Sequence, residues 1–237
     1  MLQRQTQIEK VKSANGVVKV FIVKTKVFCD DVICGLPLFE ILAREMQGYE
    51  ILFLQEDDSL FEQIKRGSAF CEKAAVLFSN SPCIERKDIE DAFNTIKTAI
   101  SFGKSFVASG EFIKNARSLN DLIEFEVFLK EEYLVVKDEH GLARAKDILQ
   151  ERIANKLSGE GVEVQDCTID FDAEIESGAR LASSQILGSS NIGAAIILSS
   201  VVENCIVASG VTAQNCVLKN CVVTKDVNGK KIDGGMI

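Results

Sequence analysis

The chain has 237 residues, 46% of them hydrophobic and 26% charged, with a formal net charge of −8. This is the composition of a globular protein with enough apolar material for a sizeable core, and the length allows one large domain or two ordinary ones. The acidic balance argues against binding to nucleic acid or an anionic membrane, because phosphate contacts need clustered Lys and Arg.

Eight cysteines do not imply a disulfide framework in a chain this long and this hydrophobic. Cys29 and Cys34 are too far apart for the tight zinc spacing, and no His completes a site. Cys205, Cys216 and Cys221 each precede an aliphatic residue and read as small apolar fillers. Reduced, structural thiols in a cytoplasmic protein are the expectation. The opening Met1–Gly16 lacks the apolar core of a signal peptide, and the longest apolar run, Gly193–Leu198, is far short of a membrane span.

After this polar opening, Val17–Val23 reads as a buried β-branched strand and Leu38–Met46 as a helix. Tyr49–Gln55 is a second strand. A helix follows, with Ser59 at its N-cap and Gly67 at its end. Ala74–Asn80 is a third apolar strand. Arg86–Gly103 has Ile89, Phe93, Ile96 and Ile100 on one helical face, and Ser105–Gly110 reads as a fourth strand. Strands that are apolar throughout and alternate with helices imply a parallel sheet covered on both faces. Leu119–Glu132 reads as helix, Tyr133–Asp138 as strand, and Leu142–Gly161 as a long helix ended by glycines.

From about Cys167 to Asp226 the pattern changes. Aliphatic residues return every five or six positions: Ile169, Ile175, Leu181, Ile186, Ile192, Ile197 and Val202, then Ile206, Val211, Val217 and Val222. Small or polar residues separate them, without proline. Such spacing fits neither a helix nor an alternating strand. It fits a parallel β-helix, whose short flat faces each send one aliphatic inward before a corner. At roughly three hexads per coil, the segment holds about three coils.

The long helix Leu142–Gly161, followed by TIDFDAEIESGARL (Thr168–Leu181), resembles the junction in sugar-nucleotide pyrophosphorylases. There a helix joins a nucleotidyltransferase domain to a left-handed β-helix. Two earlier fragments are also similar to that family. GLPLFEILARE (Gly35–Glu45) matches its G-K-P-[LM] segment, and LFSNSPCIERKDIEDAF (Leu77–Phe93) matches its G-D-x-P-L segment. The resemblance implies a three-layer, Rossmann-like α/β nucleotidyltransferase-like domain over residues 1–140, shortened relative to the family. It also implies a connector helix over 141–161 and a left-handed hexapeptide-repeat β-helix over 162–237.

The family's reaction attacks the α-phosphate of a nucleoside triphosphate with a sugar-1-phosphate, and the protein's part is to position phosphates and neutralise charge with amides, cations and Mg²⁺. The loop after the first strand, VKTKVFCDDVICG (Val23–Gly35), has no glycine before Gly35 and no arginine. Lys24 and Lys26 are its candidate anion contacts, beside Asp30 and Asp31, and Leu36 stands at the family's lysine. The two metal-ligand positions align with Asn80 and Lys137, a pair unsuited to a hard cation. A slip of one residue makes Asp138 the metal ligand instead. The only histidine, His140, lies outside the repeat, so the acyl-transfer chemistry of longer β-helices lacks its general base. The sequence therefore suggests a catalytically degenerate relative that acts in assembly or regulation. It would form a homo-oligomer through the β-helix or pair with a catalytic paralogous subunit, and Mg²⁺ would be needed only if it is active. The alternatives are an active sugar-1-phosphate nucleotidyltransferase with a divergent site and, less favoured, an acyltransferase.

Overall fold

A computed structural model describes residues 17–96, 98–123 and 134–237. The expected features of Met1–Gly16, and most of the helix expected over Leu119–Glu132, fall outside the described residues. The chain divides into two compact units, one of residues up to Asp31 and Pro37–Ala145, the other of Val32–Leu36 and Lys146–Ile237. The division falls inside the long helix.

The first unit opens with β1 (Val18–Lys24); a small ladder of β2 (Val32–Ile33) and β3 (Leu36–Pro37), belonging to the second unit up to Leu36, follows in the chain, and the first unit resumes with α1 (Leu38–Glu45). Then come β4 (Glu50–Gln55), α2 (Leu60–Gly67), β5 (Lys73–Phe78), α3 (Arg86–Thr95), β6 (Ala99–Phe102) and β7 (Ser105–Ser109). Helices α4 (Gly110–Asn115) and α5 (Leu119–Ile123) follow. The sheet order is β4-β1-β5-β7-β6. Alternation along β1 sends Val20 and Ile22 to one face and Phe21 and Val23 to the other. The first face packs on Leu42 of α1, on Met46 just after it, and on Ile89 and Phe93 of α3. The second packs on Leu60 and Ile64 of α2, Ile113 of α4 and Leu122 of α5. The three-layer arrangement expected from the apolar strands is present.

Three expectations are corrected. The sheet is not wholly parallel: β4, β1 and β5 are parallel, but β7 runs antiparallel to both β5 and β6. The helix expected over Arg86–Gly103 stops at Thr95, and Ile100 lies on β6. Phe102 pairs with Ser105, so Gly103 and Lys104 form a two-residue hairpin turn, with Gly103 at φ 67°. That pairing draws Ala99–Phe102 into the sheet, where all four residues are buried. Residues 134–138 carry no strand where Tyr133–Asp138 was expected; Val136 N–H instead donates to the carbonyl of Asn80 at 2.7 Å. Tyr133 lies outside the described residues.

The second unit begins within α6 (Glu139–Gly159) and continues as a β-solenoid. One face stacks β8 (Glu163–Gln165), β11 (Arg180–Ala182), β14 (Ile196–Leu198), β17 (Thr212–Gln214) and β19 (Val227–Asn228). The second stacks β9 (Thr168–Ile169), β12 (Gln185–Leu187), β15 (Val201–Glu203), the first half of β18 (Val217–Val223) and β20 (Lys231–Met236). The third stacks β10 (Glu174–Ile175), β13 (Asn191–Ile192), β16 (Ile206–Val207) and the second half of β18. Stacked residues are 17 apart at the first turn (Glu163 to Arg180), 14 apart at the last (Val217 to Lys231) and mostly 16 apart between, as Ser200 over Ser184 and Cys216 over Ser200 are. The turns are shorter than the expected three hexads and more numerous than the expected three coils, since five strands stack on the first face.

This shorter period also corrects the inward list. Ile169, Leu181, Ile186, Ile192, Ile197, Val202 and Val211 are buried in the core as expected and Ile175 packs partly against it, but the other later inward residues are Val207, Ala213, Leu218 and Val223. Ile206 is 54% exposed, and Val217 and Val222 are only half-buried. The run Ile206–Val207 offers two aliphatics in succession, and spacing alone does not choose between them. At the corners Ser183, Ser199 and Asn215 repeat at φ 48–52°, as do Asn204 and Asn220. Short polar side chains tolerate that left-handed geometry best, which explains the small polar residues between the aliphatics.

Candidate functional site

An open α/β sheet takes its ligand outside the carboxyl ends of its parallel strands, beside the point where the strand order turns back. Here β1 is that point, with β4 on one side and β5 on the other. The groups at these carboxyl ends are Thr25 after β1 and Ser79, Asn80 and Ser81 after β5. All four are buried. Their polarity breaks two apolar strands at the same level, because Ser79 N–H extends the ladder to Val23 O at 2.9 Å.

Much of this polar capacity is used internally. Thr25 N–H donates to Ser79 Oγ at 3.0 Å, the two hydroxyls lie 2.8 Å apart, and Thr25 Oγ1 donates to Val27 O at 2.9 Å. Two atoms are left over: Asn80 Oδ1 and Ser81 Oγ are buried without a hydrogen-bond partner among the described residues. Such groups cost about 1–3 kcal/mol each.

The residues singled out in the sequence are distributed as follows. The ammonium of Lys24 sits over the Phe39 ring, 3.6 Å from its centroid, with Phe53 at 5.7 Å. Lys26 is exposed, and its backbone N–H donates to Glu56 Oε2 at 3.1 Å. Asn80 is 9% exposed, and its carbonyl holds Val136. The Asn80 and Lys137 segments are therefore neighbours, but the Lys137 side chain is exposed and does not satisfy Asn80 Oδ1. Asp138 Oδ1 accepts from Gly141 N–H at 2.7 Å, capping the first turn of α6. His140 is exposed in that same turn rather than in the loop before it. Among the described residues, no group of three His, Cys, Asp or Glu side chains is arranged to hold a metal ion. The sequence reading passed over Thr25, Ser79 and Ser81; the signal was the polar triplet Ser79–Ser81 directly after an apolar strand.

The arrangement can exchange hydrogen bonds with a small neutral polar group. The loop Thr25–Cys34 after β1 contains no glycine. No protein-family model matches the chain, and no curated protein is significantly similar to it.

Proposed function

We propose that this chain is a sugar-nucleotide nucleotidyltransferase-like protein without catalytic activity, acting in assembly or regulation, whose β-solenoid is the left-handed kind and joins copies of the chain or a catalytic paralogue. The observation that carries the reading is the chemistry at the carboxyl ends of β1 and β5. A neutral amide, Asn80, stands where a metal-binding carboxylate would be needed, Lys24 is held on Phe39, and the hydroxyls of Thr25 and Ser79 bond each other. A hard divalent cation prefers anionic oxygens and gives up its water reluctantly. All eight cysteines are free, which supports a reducing, cytoplasmic setting. Among the described residues, no helix is long and apolar enough to cross a membrane.

The orphaned Asn80 Oδ1 and Ser81 Oγ favour a second reading, in which a small polar ligand occupies the strand ends. Calorimetric titration of UTP, ATP and dTTP, each with and without Mg²⁺, tests the first. The first reading expects no heat and no thermal shift. Mg²⁺-dependent binding that is lost in Asp138→Ala would overturn it and make Asp138 a ligand.

A further inference from the structure

The two ends of the solenoid are finished differently. At its first turn, Gln150 of α6 imitates a strand residue: Ile169 N–H donates to Gln150 Oε1 and Gln150 Nε2 donates to Ile169 O, both at 2.8 Å. Phe171 N–H donates to Cys34 O at 2.9 Å, and Leu157 and Ile153 of α6 pack against the solenoid core. These groups close an edge that would otherwise template another strand.

At the last turn, β20 pairs among the described residues with β18 alone. Peptide groups along a strand alternate in the side they face. Val217 N–H donates to Lys230 O, so Lys230 and Ile232 face β18. Lys231 and Asp233 therefore present their own N–H and C=O groups to the free edge. Their side chains are exposed on the outer surface, where Asp233 Oδ1 accepts from Asn220 Nδ2 at 3.1 Å, while Ile232 packs partly against the core.

The charges on this edge are self-complementary. Up the second face runs a column in which Glu203 stacks under Lys219 and Lys219 under Asp233, with an ion pair between Lys219 and Glu203. A lysine alone on an edge strand discourages pairing. Lys231 and Asp233, flanking Ile232, do the reverse if the partner is the same strand turned about a two-fold axis.

We propose that β20 is the docking edge for a second copy of this chain, with the two strands antiparallel and Ile232 on the two-fold axis. Lys231 of one copy then lies opposite Asp233 of the other, and the two residues exchange N–H···O=C bonds. The alternation of charge continues across the junction, and Ile232 meets Ile232 on the core side. The contact is isologous, so it closes at a dimer rather than growing into a fibre. This inference rests on the assembly reading and specifies the surface used.

The test is sedimentation velocity on the full chain, followed up to about 200 µM. Wild type is expected to dimerise. Lys231→Glu sets like charges opposite each other twice in the symmetric pair, as does Asp233→Lys, and each variant alone is expected to weaken the dimer about tenfold or more. Mixing the two variants restores opposite charges at both positions and is expected to recover the dimer, which separates loss of pairing from loss of folding. A wild-type monomer across the whole range overturns the proposal, as do variants that associate like wild type or fail to recover on mixing. Association untouched by either variant would leave the assembly reading standing through another surface, whereas nucleotide binding would remove that reading without bearing on the edge.

Discussion

Replacing Gln150 tests how the solenoid is started. Its amide is fully used: Oε1 accepts from Ile169 N–H, and Nε2 donates to both Ile169 O and Cys34 Sγ, at 2.8–2.9 Å. Gln150→Leu keeps the bulk and removes all three bonds. Two peptide groups of Ile169, a residue 2% exposed, then lose their partners at about 1–3 kcal/mol each, and the half-buried position lets water recover part of this, leaving a net loss of about 2 kcal/mol. In hydrogen exchange, that corresponds to roughly 30-fold faster opening at the Ile169 amide. Gln150→Glu refines the test. A carboxylate still accepts from Ile169 N–H but turns an oxygen toward the Ile169 carbonyl, so the folded state favours the protonated form and raises the pKa of Glu. The deficit relative to wild type should be largest at neutral pH and shrink as pH falls through that raised pKa. Unchanged Ile169 protection in Gln150→Leu, with stability within about 0.5 kcal/mol of wild type, would refute the idea that this amide closes the edge.

Gly110 opens α4 with its N–H donating to Glu72 O at 2.8 Å, and a Cβ there would come 1.9 Å from the Cys71 carbonyl oxygen. Gly110→Ala should therefore cost about 3 kcal/mol or more, read as a fall in thermal midpoint, since backbone cannot yield as a flexible side chain can. Gly159→Ala, where nothing lies within 4 Å, should be neutral or slightly stabilising in the same assay. Burial pushes up the thiols of Cys34, Cys71 and Cys167, and it raises Cys221 from 9.0 to about 11, helped by Cys205, whose sulfur lies 3.5 Å away. The folded chain then holds protons that the unfolded chain releases, so this stability is complete below about pH 9 and is lost as pH rises toward 11. A urea midpoint that stays level or rises between pH 8 and pH 10 would contradict this.

The strands and helices up to Phe93 were legible because each carries its own periodicity: continuous apolar runs in β1 and β5, and helical spacing in α1, α2 and α3. Beyond Thr95 local pattern misleads. Ile96 and Ile100 continue the spacing of Ile89 and Phe93, yet the positive-φ turn at Gly103 folds Ala99–Phe102 back as a hairpin, and pairing with β7 outweighs helical spacing. The solenoid was legible as an architecture but not in its register. Its register, 17 residues at the first turn, 14 at the last and mostly 16 between, becomes visible only where strands pair and stacked residues bond, as in the Ser184–Ser200–Cys216 ladder. At the strand ends, Asn80 could be named from the chain. The mutual hydrogen bonds of Thr25 and Ser79 could not, since they join residues 54 apart.

Where polar groups remain unused bears on function. Around β1 and β5 the chain spends the hydroxyls of Thr25 and Ser79 and its nearest lysine on itself, and among the described residues two buried atoms, Asn80 Oδ1 and Ser81 Oγ, are left open to a ligand. The edge of β20 differs in kind: Lys231 and Asp233 face outward with opposite charges, the Asp233 carboxylate already accepting from Asn220 Nδ2, and a copy of the same strand can satisfy their backbone groups. Two buried orphans are satisfied by a single small molecule. An edge row of strand N–H and C=O groups can be met by another strand only where the charges beside it are complementary, as the proposed two-fold pairing of Lys231 with Asp233 makes them.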